Sequence, residues 1–241
     1  MIRDTCRTLL PILLASVMLA TSAPANTILV DDDFGDGDFV GWTAYPGYDN
    51  GQFDASSGDL VMTTNDGSSP LIVTLDNFDT LRDVAVQTQV RLVGNANAVS
   101  VFARFNEAAG ETYQGAMTPE GEAVLGWNNP EFHQISVFET PLRVTEQDIE
   151  LRLEVEDNQL RLFAWPAGGP RPTEPAVTAV DARFASGTVG LLYHPIGLGS
   201  ATFRYARVEQ IPEPSGLLMC GLGLLGLVRT WRRQCGTYSK G

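Results

Sequence analysis

Apolar and polar residues alternate from 149 to 165 on both sides of the dipeptide Asp157-Asn158, and a period of two marks a strand with one buried face. Two such runs joined by residues that tolerate positive φ predict an antiparallel hairpin closed by a type I′ turn. Counting outward from the turn pairs Val155 with Leu160, Leu153 with Leu162 and Leu151 with Ala164 on one face. The other face pairs Glu156 with Gln159, Glu154 with Arg161, Arg152 with Phe163 and Glu150 with Trp165. A slip of one residue would bury the charges and expose the leucines, so the register is set by the core and by the Glu154–Arg161 pair. Leu153 then points inward, and Glu154 is expected on a solvent-facing surface in an ordinary ion pair.

The same period recurs along the chain. Val84, Val86, Thr88, Val90 and Leu92 share a face opposite Ala85, Gln87, Gln89 and Arg91; Val99, Val101, Ala103 and Phe105 repeat the pattern. Further runs at 60–64, 71–75, 112–117, 123–127, 133–138, 188–194 and 201–208 are bounded by Gly, Pro, Asn and Asp, the residues that end strands. No helical period of comparable length occurs between 26 and 211. About a dozen short strands in one stretch predict an all-β fold, a two-sheet antiparallel jelly-roll sandwich. Residues 26–211 suit a single domain with a sizeable core.

Both ends of the chain read as processing signals. Arg3 and Arg7 precede an apolar stretch over 9–20, and Ala23-Pro24-Ala25 offers small residues to a signal peptidase. Residues 1–25 are therefore expected to be a signal peptide and the mature chain to begin at Asn26, with cleavage after Ala23 as the alternative. At the other end Pro212-Glu213-Pro214 is followed by an apolar, Gly-punctuated run over 215–228 and then Arg229, Arg232 and Arg233. The run predicts a short hydrophobic transmembrane helix below the roughly 20 residues of a comfortable span, and the basic end predicts a cytoplasmic C-terminus. This order, over 212–233, resembles the PEP-CTERM sorting signal. The resemblance implies recognition by an exosortase, cleavage near the box, and export to the cell surface or extracellular matrix of a Gram-negative bacterium. Membrane contact is then confined to the C-terminal helix before processing, with residues 234–241 as a short cytoplasmic extension.

A second resemblance covers the domain. Asp31-Asp32-Asp33-Phe34, Gly35-Asp36-Gly37-Asp38, Gly41-Trp42, the hairpin at 151–162, and Ser186-Gly187-Thr188-Val189-Gly190-Leu191 leading to 199–203 look like a concanavalin A-like, LamG-like jelly roll. Relatives of that kind include carbohydrate-binding modules, lectins, glycosidases and adhesive domains, so fold alone assigns no chemistry. The chain departs from the pattern in a long Pro-rich loop over 166–175.

All three cysteines, Cys6, Cys220 and Cys235, fall in the terminal segments, so the domain has no disulfide and stands on its core. Residues 26–211 hold 27 acidic residues against 10 arginines and no lysine, a net charge of −17. Such a domain repels nucleic acid and anionic membrane surfaces and favours divalent cations and neutral or cationic polymers.

Glu150, Glu154 and Glu156 share a strand face, as do the carboxylates of jelly-roll glycosidases. Arg152 interrupts the series, so the cluster reads as polar surface and no catalytic residue is assigned. His133 and His194 stand apart, with no nucleophile and too few partners for zinc; both read as strand-end residues. The oxygen-rich, Gly-broken run Asp31, Asp32, Asp33, Asp36 and Asp38 is the candidate for a structural calcium ion, with Asp-Gly turns as the other reading. For sugar, which stacks on aromatic rings and hydrogen-bonds to neighbouring polar groups, two clusters qualify. One is Trp42, Tyr45, Tyr48, Asp49 and Asn50; the other is Trp127, Asn128 and Asn129. The other reading makes Trp42 a core plug and Trp127 a cap on the sandwich edge. The expected protein is exported, surface-sorted and non-catalytic, and binds extracellular polysaccharide or matrix in biofilm. Its alternatives are a structural envelope component without specific ligand and a glycoside hydrolase.

Overall fold

The hairpin at Asp157-Asn158 forms with every pair in the register expected from the sequence, from Glu156 opposite Gln159 out to Glu150 opposite Trp165. Its turn differs. Asp157 takes a positive φ of 50° and Asn158 does not, so only the first central position is left-handed, the pattern of a type II′ turn.

The computed structural model describes residues 25–129 and 131–212; residues 1–24 of the expected signal peptide, Glu213, Pro214, the hydrophobic run and the arginine cluster lie outside the described residues. The strands are β1 (Thr27–Asp32), β2 (Trp42–Ala44), β3 (Gly51–Asp54), β4 (Leu60–Thr64), β5 (Leu71–Leu75), β6 (Val84–Asn106), β7 (Glu111–Met117), β8 (Glu122–Asn129), β9 (Glu131–Glu139), β10 (Ile149–Glu156), β11 (Gln159–Pro166), β12 (Val177–Val180) and β13 (Thr188–Gln210). All the pairings are antiparallel.

Two pairs of runs that look separate in the sequence, 84–92 with 99–105 and 188–194 with 201–208, are halves of the single long strands β6 and β13. Each long strand passes from one layer to the other at a shared corner. There Pro195 pairs with Ala96 and Gly199 with Gly94, so residues 196–198 bulge opposite Asn95. Only glycine fits at the crossing: Gly94 has a φ of 85°, and a Cβ on Gly199 would lie 2.5 Å from the Val93 carbonyl oxygen.

The first sheet runs β12-β11-β10, the 84–92 half of β6 and the 200–210 half of β13, which pairs beyond with β1 and β4, the latter edged by β3. The second runs β9-β8-β7, the 99–106 half of β6, the 188–194 half of β13, β5 and β2. Leu151, Leu153, Leu160, Leu162, Val86 and Phe203 of the first sheet meet Val99, Val101, Tyr113, Leu125, Leu191 and Val73 of the second in one buried core. Gly115 permits the close approach: a Cβ there would stand 2.5 Å from Leu162 Cδ1.

Glu154 is not on a solvent-facing surface. The outer face of the first sheet is a buried polar network in which Glu154 is 7 % and Arg152 2 % exposed. Arg152 donates to Glu154 and to Glu209, each at 2.8 Å, and Arg161 Nε lies 3.3 Å from Glu154. The Pro-rich loop after β11 helps seal it: Arg171 donates to Glu154 at 2.7 Å while its guanidinium lies over Phe163, 4.3 Å from the ring centroid. Burial alone would raise the Glu154 carboxyl, but hydrogen bonds and charge from Arg152 and Arg171 outweigh it and hold it below the ordinary range. Sequence periodicity assigns the face of this strand; the loop decides its exposure.

Candidate functional site

The outer face of the second sheet is recessed, and local backbone chemistry makes it so. Strict alternation predicts that Phe105 shares a face with Val101 and Ala103. Instead Arg104 adopts a positive φ of 56° and the ladder shifts register there, the mark of a bulge that reverses side-chain parity. The Arg104 side chain turns inward to donate to the carbonyls of Arg82 (2.7 Å) and Phe184 (2.8 Å). Phe105 thereby joins Phe102, Ile72 and Leu192 in a second apolar cluster outside the main core, with Tyr45 packed against it. Gly190 makes room for this floor, since a Cβ on it would meet the Phe102 ring at 2.2 Å.

The segment following β2 forms one rim. Tyr45 N donates to Ile72 O (3.0 Å), Ile72 N to Tyr48 O (3.1 Å) and Tyr45 Oη to Glu107 O (2.8 Å). These bonds set the Tyr45 ring edge-on to Phe105, with centroids 5.0 Å apart, and 5.6 Å from Tyr48, which stays 37 % exposed. Phe132 of β9, 44 % exposed, stands on the opposite side over Gly126.

Between the rims lies a trough of adjoining cavities. The central one, about 120 Å³, is lined by Tyr45, Tyr48, Phe102, Phe105, Thr112, Gln114, Asn128, Leu192 and His194. A neighbour of about 250 Å³ shares Gln114 and His194 and extends to Ser100 and Phe132. A cleft of about 840 Å³ on the other side shares Tyr45 and Phe105.

Polar atoms at the base of this trough lack partners. Ser100 Oγ, Gln114 Nε2 and Asn128 Oδ1 are buried without a hydrogen bond. Each such group costs roughly 1–3 kcal/mol of unrecovered solvation. The other three of this kind among the described residues are Asp148 Oδ1, Arg161 Nε and Tyr193 Oη, and the first two still lie 3.7 Å from Arg91 and 3.3 Å from Glu154. Desolvation holds His194 down to about 4, although the residue keeps some surface open to the trough. At neutral pH its ring is uncharged and offers one donor and one acceptor.

Tyr45, Tyr48 and Asn128, drawn from both expected clusters, meet in the central cavity. The two tryptophans do not join them. Trp42 is 4 % exposed in the core, donating its Nε1–H to Asp32 Oδ2 at 3.0 Å. Trp127 packs on the core side, with His133 stacked on it at 3.9 Å and the Arg183 guanidinium 4.4 Å from its centroid. Two groups so close must take opposite faces of the indole, leaving none for a sugar. Asp49 lies outside the cavity lining, Asn50 donates to Asp66 (2.7 Å) and Asn129 to Glu111 (2.8 Å). The residues that sequence reasoning does not place at a site are Ser100, Phe102, Phe105, Gln114, Phe132 and His194; neither histidine is a strand-end residue, His194 lying within β13 on the trough floor and His133 within β9.

The acidic run is occupied by turns. Asp32, Asp33, Asp36 and Asp38 each accept from a backbone N–H two residues ahead, at 2.8–3.3 Å, and Asp31 pairs with Arg207. Among the described residues no group of three or more His, Cys, Asp and Glu converges as a metal site needs.

Residues 210–234 match the PEP-CTERM protein-sorting motif. No curated protein matches the chain. Among solved structures, the chain is similar to a carbohydrate-binding module of Bacillus subtilis, CBM66, at 16% identity and a TM-score of 0.53, over 69% of this chain and 93% of that one. It is similar to a Bacillus licheniformis β-glucanase at 11% identity and a TM-score of 0.54, over 77% and 99% of the two chains. A Bacillus subtilis protein of unknown function with a galectin-like fold aligns at 9% identity and a TM-score of 0.56, over 80% of this chain and all of that one. Identities this low carry fold alone: the chain is an all-β, antiparallel jelly-roll sandwich with a PEP-CTERM sorting motif at its C-terminal end.

Proposed function

We propose that this protein is exported, sorted to the cell surface, and there binds extracellular polysaccharide of a biofilm matrix through the trough without cleaving it. The observation that carries the reading is the set of unpartnered polar atoms, Ser100 Oγ, Gln114 Nε2 and Asn128 Oδ1, beneath an aromatic rim. A sugar ring has what such a surface lacks: hydroxyls for the polar groups and C–H faces for Tyr48 and Phe132. Gln114 Nε2 is itself buried, so a sugar hydroxyl accepts from it once the amide turns toward the cavity that Gln114 lines. Binding rather than hydrolysis is favoured because glycosidases place two carboxylates across the scissile bond. Among the described residues the central cavity has none and Glu122 alone borders the smaller neighbour; Asp76, Asp79 and Glu107 line the larger cleft, which none of the unpartnered polar residues borders. The sorting motif and the fold of the carbohydrate-binding module support the setting. Exosortase and signal peptidase are the processing partners. A glycan-array screen tests the reading: retention on a polysaccharide is expected, weakened by Tyr48→Ala by roughly tenfold, a loss of about 1.4 kcal/mol. No retention on any glycan would favour a structural matrix component, and release of reducing ends would make the protein an enzyme.

A further inference from the structure

We infer that the ligand is an internal segment of a polysaccharide without anionic groups, held along the trough over several sugar units, and that anionic polysaccharides are rejected. The inference rests on the sugar-binding reading and adds two properties, extent and charge.

Extent follows from adjacency. The three cavities adjoin in pairs, sharing Gln114 and His194 as lining on one side and Tyr45 and Phe105 on the other. A ligand seated in the central cavity therefore has space on both sides of it, as the interior of a chain requires and a terminal sugar does not. Exposed rings stand at both sides, Tyr48 on the central cavity and Phe132 on its neighbour. A monosaccharide reaches only one of these surfaces.

Charge follows from the lining. Recognition of a carboxylate or sulfate calls for Arg or Lys, whose fixed donors and charge offset the anion's lost hydration. Among the described residues no arginine lines any of the three cavities, and residues 26–211 hold no lysine. The central cavity has no charged residue, His194 being neutral above about pH 4. The flanking cavities add only carboxylates, Glu122 on one side and Asp76, Asp79 and Glu107 on the other. An anionic sugar would be desolvated without a counter-charge, next to like charges.

Calorimetric titration of the full chain tests this. The neutral probes are dextran, laminarin, xylan and mannan with their parent monosaccharides; the anionic probes are alginate and polygalacturonate. Salt is set at about 0.15 M and about 1 M, the higher value shortening the screening length to about 3 Å. The expected result is binding to at least one neutral polymer, at least tenfold weaker binding of its monosaccharide, and no binding of either anionic polymer at either salt. High salt screens the long-range repulsion from the domain's net charge, so failure to bind there reports the missing cation in the trough. Binding of alginate or polygalacturonate at either salt overturns the charge assignment, and a monosaccharide as tight as its polymer overturns the extent; both leave sugar binding standing. Silence across the whole panel instead removes the sugar-binding reading on which the inference depends.

Discussion

On the outer face of the first sheet Glu150, Arg152 and Glu154 are all answered, by Tyr205 and Gln87, by Glu154 and Glu209, and by three arginines. On the outer face of the second sheet Ser100, Gln114 and Asn128 keep buried polar atoms that nothing answers. Both faces hide polar groups from water, so burial does not separate them. Charge compensation does: on the first face even Arg161 Nε, which makes no hydrogen bond, lies 3.3 Å from the Glu154 carboxylate, whereas the second face leaves solvation energy that a ligand can recover. The first face is read as structure and the second as a site.

The largest effect expected on this contrast comes from Glu154→Ala. It strips Arg152 of a buried partner and Arg171 of its anchor, and breaking such a pair costs about 3–5 kcal/mol. Leu153→Ala, the neighbour on the core side, should cost a similar amount, about 2–5 kcal/mol through the cavity it leaves. Denaturant melts check both. Near-equal losses support a buried network; a Glu154→Ala loss below about 1 kcal/mol would return that face to the surface. Glycan retention of the folded Glu154→Ala protein should be unchanged.

His194 gives the next effect, through pH. Its folded pKa, about 4, lies below the ordinary 6.5, so the unfolded chain binds the proton more readily. The stability from keeping the ring neutral is complete above pH 6.5 and is lost as pH falls through about 4, amounting to at most about 3 kcal/mol. Glu154 and Glu209, held below 4.5 despite burial by their hydrogen bonds to arginine, Arg152 above all, lose their share only further down. Thermal melts between pH 6.5 and 4.5 should therefore show a fall in melting temperature that His194→Gln flattens. An unchanged slope in that variant would place the ring in water.

Gln114→Met sharpens the comparison with a smaller effect of opposite sign. Volume is kept and an unpartnered amide removed, so stability should hold or rise by about 1 kcal/mol while glycan binding weakens about tenfold. A loss of stability would mean that the amide already has a partner in the free protein.

How much of this was legible in the sequence differs between the faces for a physical reason. The 149–165 hairpin could be registered residue by residue because period two, a short turn and a cross-strand charge pair all agree. Exposure could not, because Arg171 reaches Glu154 from a loop 17 residues away, and no local pattern encodes that. The trough was less legible still. Ser100 and Gln114 look like ordinary outward polar residues in their strands, and Phe105 has the parity of a core residue until the bulge at Arg104 moves it. The arginine inside an apolar run was the one local hint. Tyr45 and Tyr48 stand out in the sequence only as members of an aromatic cluster in a Gly/Pro-containing loop; their place on the trough is read from the structure. Trp42 and Trp127 stay ambiguous in the sequence because indole composition says nothing about which side of the sheet it faces; the structure takes the core reading for Trp42 and packs Trp127 against the core.

The smallest effect concerns the acidic run at Asp31–Asp38, which has the composition of a calcium loop. A calcium ion takes six to eight oxygen ligands, and four of these carboxylates already accept from the backbone of their own turns while the fifth pairs with Arg207. Converging them on an ion would break those turns. The expected outcome is therefore the same melting temperature, within about a degree, in millimolar calcium and in chelator. A ligand that binds only the folded state stabilises it by RT ln(1 + [L]/Kd), so one at 100 times its Kd would add about 2.7 kcal/mol. A shift of that size, removed by Asp36→Asn, would show that the run rearranges around calcium and that the first sheet, too, carries a site.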